Sequence, residues 1–263
     1  MEAVAIVTGG SSGIGRAVAE SLAQKGLTVY EFSRRQIPDP GVIHMGVDVT
    51  DEAAVDAAVE QIRKNHQRID ILVNCAGFGI SGAVEFTTLE DARRQLDVNF
   101  FGTVICTRAV LKIMREQGHG RIVCVSSVAG AIPIPFQTFY SVSKSAISTY
   151  ATALANEVRP YGVTVCAVMP GDIASGFTDA RDKSCEGDDL YGGRISRSVQ
   201  VMEKDERGGM SPAQAGAYIA GIALKKKVKP LYAIGFTYKL FCVIMRLLPS
   251  GFSNYLLYQI YAK

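Results

Sequence analysis

The fold of this chain is decided by the stretch Val4-Ala5-Ile6-Val7-Thr8-Gly9-Gly10-Ser11-Ser12-Gly13-Ile14-Gly15. Its first five residues form a β-branched apolar run that predicts a buried strand. The glycines predict a tight turn, and the amphipathic pattern of residues 14–25 predicts a helix directly after it. This order places backbone N–H groups and the positive end of a helix dipole around an anion. The stretch therefore predicts a nucleotide-phosphate site, and the alternative is a flexible turn without a ligand.

Short β-branched runs alternate with longer amphipathic stretches along the whole chain. The runs predict strands at residues 4–8, 28–33, 43–47, 69–74, 121–126, 163–169 and 230–235. Helices are predicted between them, and Thr50 is the expected N-cap of a helix over 51–64. Such alternation implies parallel strands joined by right-handed crossovers. We therefore predict an α/β fold in one domain, residues 1–263: a Rossmann-type, doubly wound parallel sheet of about seven strands with helices on both faces.

The composition excludes several classes of protein. The 28 basic and 25 acidic residues give a formal net charge of +3 and are spread along the chain, so no basic stripe indicates nucleic-acid binding. The six cysteines form no CxxC pair and the three histidines do not cluster with them, which predicts neither a metal site nor a disulfide framework. The apolar run at the start lacks the length and cleavage site of a secretory signal, so we expect a cytoplasmic protein.

The end of the second predicted strand indicates which nucleotide binds. Folds that bind NAD hold the ribose 2′-hydroxyl with an acidic residue about twenty positions past the glycines. Here Ser33, Arg34 and Arg35 occupy that place, and Glu31 lies two residues back, toward the strand interior. Guanidinium groups suit the doubly charged 2′-phosphate of NADP(H), which is therefore the predicted cofactor. Two solvated surface arginines are the alternative.

Further motifs follow in a fixed order. They are Asp48-Val49, Asn74-Cys75-Ala76-Gly77, Asn99, Ser127, Tyr140 with Lys144, and Pro170-Gly171-Asp172-Ile173-Ala174-Ser175. Together with the glycine turn, they resemble the short-chain dehydrogenase/reductase family over Val4 to about Ser175. Cys75 replaces the second asparagine of the family's NNAG motif, and Ser175 replaces a threonine. The resemblance implies a Rossmann fold and hydride transfer between a nicotinamide and an alcohol or ketone.

The resemblance also implies which residues contact the cofactor. Asp48 with Val49 is expected at the adenine, although an Asp at this position also suits a turn. The remaining expected contacts are Gly9, Ser11, Ser12, Gly13, Ile14 and Gly15 at the pyrophosphate, Asn74, Ala76 and Gly77 at the adenosine, and Pro170, Gly171, Ile173 and Ser175 at the nicotinamide, with Tyr140 and Lys144 beside its ribose. Asn99, inside a predicted helix that carries Leu96 to Met114, is expected to hold a water that links Lys144 to solvent.

The residue chemistry agrees with a catalytic role for these side chains. Tyr140 and Lys144 lie four positions apart on a predicted helix, so both project from one face. We expect the lysine charge and an oxidised nicotinamide to lower the pKa of the Tyr140 phenol, which then exchanges a proton with the substrate. Ser127 follows a central strand and is expected to polarise the substrate carbonyl. Each of these features also has an ordinary structural explanation when it is considered alone. A pair of serines at a strand end is usually a cap, and an asparagine in a helix is usually exposed. A tyrosine and a lysine at helical spacing are usually a surface pair.

Two segments follow the motifs. Residues 176–210 are polar and rich in glycine, and they are too long for a passive connection, which predicts a substrate lid rather than a disordered loop. Residues 236–263 form an apolar helical extension similar to that of hydroxysteroid and retinoid dehydrogenases. Lys239 and Arg246 within it disfavour a membrane span. We expect the extension to cap the substrate site or to form a subunit contact, rather than to touch a membrane.

The sequence thus predicts an NADP(H)-dependent oxidoreductase that interconverts a secondary alcohol and a ketone on an apolar substrate such as a hydroxysteroid, retinoid or lipid. A homodimer or homotetramer is the expected assembly. A 3-oxoacyl thioester reductase is one alternative, although the glycine-rich ending of those enzymes is absent. A nucleotide-binding scaffold without activity is the other.

Overall fold

A computed structural model describes residues 2–36 and 41–263. The elements in chain order are β1 (Val4–Thr8), α1 (Gly13–Ala23), β2 (Thr28–Ser33), β3 (Val42–Gly46), α2 (Glu52–His66), β4 (Ile71–Asn74), β5 (Ile80–Ser81), α3 (Leu89–Leu96), α4 (Gly102–Gln117), β6 (Gly120–Val125), α5 (Thr138–Glu157), β7 (Val163–Met169), α6 (Phe177–Ala180), β8 (Asp182–Lys183), α7 (Arg194–Arg207), α8 (Pro212–Ala223), β9 (Leu231–Ala233), α9 (Phe236–Leu247) and α10 (Ser250–Tyr261).

Seven strands form one parallel sheet in the order β3-β2-β1-β4-β6-β7-β9. The order reverses between β1 and β4, and the register pairs Thr8 with Asn74 at this junction. Ligands of open α/β sheets bind outside the carboxyl ends of the strands at such a reversal. The predicted fold class and strand number are therefore confirmed.

Both faces of the sheet are covered, which explains the near-continuous hydrophobicity of β6 and β7. Alternate strand residues such as Ile6 and Leu72 pack against α2, α4 and α5 on one face. Their neighbours, such as Val7 and Val73, pack against α1 and α8 on the other. A Cβ atom at Gly216 would lie 2.5 Å from the Ala17 Cβ, so this glycine permits the close packing of α8 on α1.

Two local expectations were wrong. The N-cap of α2 is Asp51, whose carboxylate accepts from the Ala54 N–H, and not Thr50, whose N–H and hydroxyl both donate to Asp48. The helix expected to run continuously from Leu96 into α4 contains a π-helical turn, Asp97–Phe101. Such turns often mark functional sites.

The C-terminal extension forms the two helices α9 and α10 that the apolar pattern predicts, with Pro249 between them. Helix α10 packs against α7 and buries Leu257. In the described parts of the chain, we find no helix whose length and apolar content would let it cross a membrane.

Candidate functional site

A cavity of about 790 Å³ runs along the carboxyl ends of the strands, from the turn after β1 to the C-terminal helices. Most of the residues expected at the cofactor line it: Gly9, Ser11, Ser12, Gly13, Ile14, Gly15, Ser33, Arg34, Arg35, Asp48, Val49, Ala76, Gly77, Tyr140, Lys144, Pro170, Gly171, Ile173 and Ser175. The sheet thus brings together residues that are up to 166 positions apart, because parallel strands place their carboxyl ends at one edge.

The glycine turn has the geometry of a phosphate cradle. Gly9 has φ +68° and Gly13 has φ +56°, values that only glycine adopts without strain. A Cβ atom at Gly15 would lie 2.3 Å from the Gly9 carbonyl oxygen, so no other residue fits there. The turn leads directly into α1, whose first residues Gly13, Ile14 and Gly15 line the cavity. This end of the cavity therefore suits a pyrophosphate.

Hydrogen bonds from Thr8 hold the turn against the loop after β4. Its Oγ1 accepts from the backbone N–H groups of Cys75 at 3.1 Å and Ala76 at 3.0 Å. A Cβ atom at Gly9 would lie 2.9 Å from the Ala76 Cα. Burial raises the pKa of the Cys75 thiol to about 12, so Cys75 is a neutral packing residue in place of the family asparagine.

The two arginines lie at the end of the cavity where the ribose 2′-position is expected. Arg34 acts electrostatically on Asp48: burial would raise the pKa of this carboxyl, but hydrogen bonds from Thr50 and the charge of Arg34 hold it below its usual value. Glu31 does not compete for the ribose, because its buried carboxylate bonds the Ser33 hydroxyl at 3.2 Å and pairs with His44. The residue set therefore fits a 2′-phosphate.

Asn74 takes a position other than the expected one. Its amide nitrogen donates to the Thr107 hydroxyl of α4 at 3.1 Å, and the side chain does not line the cavity. The reason is the alternation of side chains along a strand, which turns Asn74 toward the α4 face. Asn74 thus connects the sheet to a helix, while Ala76 and Gly77 remain at the cavity.

Ser127 and Tyr140 meet across the cavity mouth. Ser127 follows β6, and its hydroxyl accepts from the Ala129 N–H at 3.1 Å and lies near enough to the Tyr140 phenol to act on its pKa. The turn that carries Ser127 touches α5 closely, since a Cβ atom at Gly130 would lie 2.6 Å from the Lys144 carbonyl carbon. Ser126 Oγ donates to the Lys144 carbonyl at 2.6 Å and so fixes α5 on the strand end.

Asn99 lies in the π-helical turn behind these residues and is fully buried. Its amide nitrogen donates to the Phe78 carbonyl and the Ser143 hydroxyl, both at 3.0 Å, and its oxygen accepts from the Phe78 N–H at 2.9 Å. A Cβ atom at Gly77 would meet both the Asn99 oxygen, at 2.9 Å, and Lys144 Nζ, at 3.5 Å. Asn99 therefore supports the wall beside Lys144 without lining the cavity itself.

The family model described as short chain dehydrogenase matches residues 3–186, more than half of the chain. The chain belongs to the short-chain dehydrogenase/reductase family. It is 40% identical, over 98% of both chains, to a 3-ketodihydrosphingosine reductase of Bacteroides thetaiotaomicron. It is 32% identical to an NADPH-dependent 3-dehydrocapnine reductase of Ornithobacterium rhinotracheale, over 97% of this chain and 96% of the relative.

Among solved structures, a short-chain dehydrogenase from Streptomyces avermitilis superposes with a TM-score of 0.84 at 31% identity, over 98% of this chain and 96% of that one. The chain is thus an oxidoreductase of this family that acts on alcohol or ketone groups, and NADP(H) is its cofactor. The cofactor supplies or accepts the hydride when it is bound.

Burial shifts the pKa values of two helical residues of this short-chain dehydrogenase. It raises the pKa of Tyr140 to about 12 in spite of the opposing effect of the Ser127 hydroxyl, and it lowers the pKa of Lys144 to about 8. Lys144 Nζ donates to the Val125 carbonyl at 3.0 Å and lies 5.7 Å from the centre of the Tyr140 ring. Its charge is therefore directed to a carbonyl rather than to the phenol, and Tyr140 is a protonated donor at neutral pH.

Further cavity residues were missed by motif analysis: Gln137, Asp172, Asp205, Glu206, Tyr238, Phe241 and Tyr261. Tyr238, Phe241 and Tyr261 belong to the C-terminal extension, whose apolar pattern was the available signal. Of the apolar lid residues, Phe177 and Met202 line the cavity, whereas Ile195 and Val199 are buried within the lid and Leu190 is exposed.

The expected lid, residues 176–210, is an ordered segment whose two ends meet. Ala174 N–H donates to the Met210 carbonyl, and Met210 N–H to the Asp172 carbonyl, both at 2.9 Å. Within the lid, the Thr178 hydroxyl donates to Glu206 at 2.7 Å, and the buried Arg181 pairs with the same carboxylate. These contacts hold α6 and α7 beside the cavity, and they favour a lid over a disordered loop.

Proposed function

We propose that this chain reduces the keto group of a long-chain lipid with NADPH, and that Tyr140 donates the proton. The observation that carries the proposal is the aromatic and apolar wall that continues the cavity beyond Tyr140. The Phe177 ring lies 5.6 Å from the Tyr140 ring, and Met202 and Phe241 line the same space. A hydrocarbon chain buried there leaves water at a gain of about 0.8 kcal/mol per CH₂.

Both named reductase relatives support this substrate class, since their names denote 3-keto lipids. A 3-ketosphingoid base carries an ammonium group on the carbon beside the ketone. In this chain Asp172, Asp205 and Glu206 line the cavity, and Asp172 and Glu206 are close enough to raise the pKa of Tyr140 electrostatically. We therefore propose a long-chain 2-amino-3-ketone as the preferred substrate, with Asp172 facing its ammonium group.

The proposed reaction balances with one hydride and one proton. The carbonyl carbon would accept the hydride that bound NADPH supplies, and as the C=O π bond breaks, the oxygen takes the phenolic proton of Tyr140. Ser127 donates a hydrogen bond that polarises the carbonyl. Lys144 would hold the nicotinamide ribose, and a proton from solvent would restore the Tyr140 phenol. The water relay at Asn99 stays a prediction.

Absorbance of NADPH at the nicotinamide band tests the proposal directly. We expect a C18 2-amino-3-ketone in detergent micelles to be reduced with a kcat/KM at least about tenfold above that of a C4 analogue, because a few buried CH₂ groups supply that difference. Equal efficiency for both chain lengths would refute the lipid substrate.

The same assay separates the alternatives. Preferential consumption of NADPH with acetoacetyl thioester would indicate a 3-oxoacyl thioester reductase, and preference for a ketosteroid or retinal would indicate those substrates. NADPH binding with no turnover on any of them would indicate a scaffold. The homodimer or homotetramer stays a prediction, to be measured by sedimentation velocity, and so does the cytoplasmic location.

A further inference from the structure

Helix α9 has two opposite apolar faces. At about 100° per residue, Phe236, Leu240, Val243 and Leu247 fall on one stripe, and Tyr238 and Phe241 fall on the other side. The second group lines the cavity. The first group is open to solvent, with Phe236 81% and Leu247 79% exposed. One apolar side of α9 therefore lies against the cavity, whereas the opposite apolar side is exposed to solvent.

Exposed apolar side chains are concentrated in this part of the molecule. Among the described residues, half of the eighteen exposed large hydrophobic side chains lie from Phe236 onward. Those on α10 are Phe252, Tyr255, Tyr258 and Ile260. Single exposed hydrophobic residues are ordinary on a protein surface, but a cluster of this kind indicates a binding surface. We call the exposed apolar stripe of α9, which consists of Phe236, Leu240, Val243 and Leu247, the outer face.

The part of the chain that carries α8, α9 and α10 has charged side chains of one sign. No aspartate or glutamate follows Glu206, whereas Lys225, Lys226, Lys227, Lys229, Lys239, Arg246 and Lys263 do. Lys239 and Arg246 are exposed, and their helical positions lie at the edge of the α9 stripe rather than within it. Long basic side chains at such an edge extend their charges toward a polar boundary while their stems stay on the apolar side.

We infer that the outer face binds the surface of an anionic lipid bilayer. Apolar side chains flanked by lysine and arginine are the pattern of helices that lie in the plane of a membrane interface. A second copy of this chain is a poorer occupant, because a symmetric contact would bring the same basic residues together from both copies. The α9 helix is about 18 Å long, which suits a position along the interface and not across it.

The inference extends the proposed function, on which its consequence for substrate entry rests. The inner side of α9 lines the cavity through Tyr238 and Phe241, and Tyr261 of α10 lines it as well. A bilayer in contact with the outer face is then separated from the cavity by the thickness of one helix layer. A long-chain ketone can pass from the lipid phase to Tyr140 without its chain crossing bulk water.

The test is co-sedimentation of the full chain, without substrate or cofactor, with vesicles of phosphatidylcholine alone or mixed with phosphatidylglycerol. We expect binding to the mixed vesicles at least about tenfold tighter than to the neutral ones, and weaker at high salt, because the basic residues interact with anionic headgroups. Equal binding to both kinds of vesicle, or no binding, would overturn the inference.

Matched variants locate the contact. Lys239→Glu with Arg246→Glu, and separately Phe236→Ser with Leu247→Ser, are each expected to lower vesicle affinity about tenfold or more. Lys25→Glu with Lys64→Glu makes the same charge change at exposed positions, one in the turn after α1 and one on α2, and should leave the affinity nearly unchanged. An equal loss in this control would show unspecific charge attraction and would overturn the assignment to the outer face.

Two further measurements keep the outcomes distinct. Turnover on a short water-soluble ketone checks that each variant is folded, since none of the changed residues lines the cavity. Sedimentation velocity reports assembly: outer-face variants that dissociate an oligomer, with no vesicle binding by the parent chain, would assign the surface to a second copy instead. Vesicle binding without lipid-ketone turnover would sustain the membrane contact and reject the proposed substrate.

Discussion

The phenol of Tyr238 on α9 donates a 2.5 Å hydrogen bond to the Asp172 carboxylate in the segment after β7. Its ring also rests on Gly171, where a Cβ atom would lie 2.3 Å from the ring. Residues 66 positions apart thus join the C-terminal extension to the segment expected at the nicotinamide. Tyr238, Phe241 and Tyr261 of the extension are therefore part of the cavity wall.

Loss of the Tyr238–Asp172 hydrogen bond should weaken the binding of long substrates. We predict that Tyr238→Phe raises KM for a long-chain ketone about three- to tenfold, the cost of one hydrogen bond, and leaves kcat for a short ketone nearly unchanged. Steady-state kinetics on both substrates measures the effect. Tyr258→Phe, which removes an exposed phenol from α10, is the control. A uniform change for short and long ketones would argue against a capping role.

Removal of the Tyr140 phenol oxygen should abolish proton donation. We predict that Tyr140→Phe lowers kcat about 10²- to 10⁴-fold with little change in NADPH affinity, because the cofactor is held mainly by other residues. Turnover and NADPH fluorescence titration are the two measurements. Tyr161→Phe, at a half-exposed position, serves as the matched variant. More than about a tenth of the parent activity would exclude Tyr140 as the donor.

The burial of Lys144 should lower the free energy of unfolding at neutral pH. Burial lowers its pKa from 10.5 to about 8, so the unfolded chain binds this proton more tightly. This loss of stability is complete below pH 8 and disappears as the pH rises to 10.5. Lys144→Met should therefore increase the free energy of unfolding at pH 7 by on the order of 1–3 kcal/mol, with a gain that shrinks through this window.

Urea unfolding at pH 7 and above pH 10 measures the difference. Lys64→Met, at an exposed position of α2, should change neither value. The Lys144 variant should lose turnover although it is the more stable protein. Lower stability than the parent at pH 7 would mean that the hydrogen bond to Val125 outweighs the burial of the charge.

Arg34 should decide the choice of cofactor. We predict that Arg34→Ala lowers the ratio of kcat/KM with NADPH to that with NADH about ten- to a hundredfold, because charge-assisted bonds to the 2′-phosphate are lost. Ser33 is best left in place, since its hydroxyl bonds the buried Glu31. Arg63→Ala, on exposed α2, is the control. An unchanged ratio would show that Arg34 faces solvent.

Asp172 should distinguish amino ketones from neutral ones. Burial and the nearby Asp205 and Glu206 raise its pKa in spite of the Tyr238 bond. Asp172→Asn keeps an acceptor for Tyr238 and removes the charge. We predict that KM for a 2-amino-3-ketone rises about tenfold while KM for the deaminated ketone does not change. In the parent, KM for the amino ketone alone should rise as the pH falls toward the raised pKa of Asp172. Equal effects on both ketones would contradict the proposed contact between Asp172 and the ammonium group.

Local patterns predicted the sheet well because strand formation depends on residues close in sequence. The bounds of β1, β2 and β7 agree with the β-branched runs. The π-helical turn at Asn99 was not predictable, because its pattern of apolar residues resembles that of an ordinary helix. The N-cap of α2 was displaced by one residue because Thr50 and Asp51 are both good capping residues, and backbone geometry selects between them.

Short-range patterns in the sequence were sufficient for the α/β fold, the glycine cradle and the arginine pair that suits NADP(H), since each depends on a few neighbouring residues and their backbone preferences. The identity of the side chains that face the cavity depended on the tertiary structure. It turned Asn74 toward Thr107 and enclosed Asn99, and it brought Tyr238 onto Asp172. A cavity wall is made by contacts between distant segments, and the direction of each side chain there follows from packing that no local pattern contains.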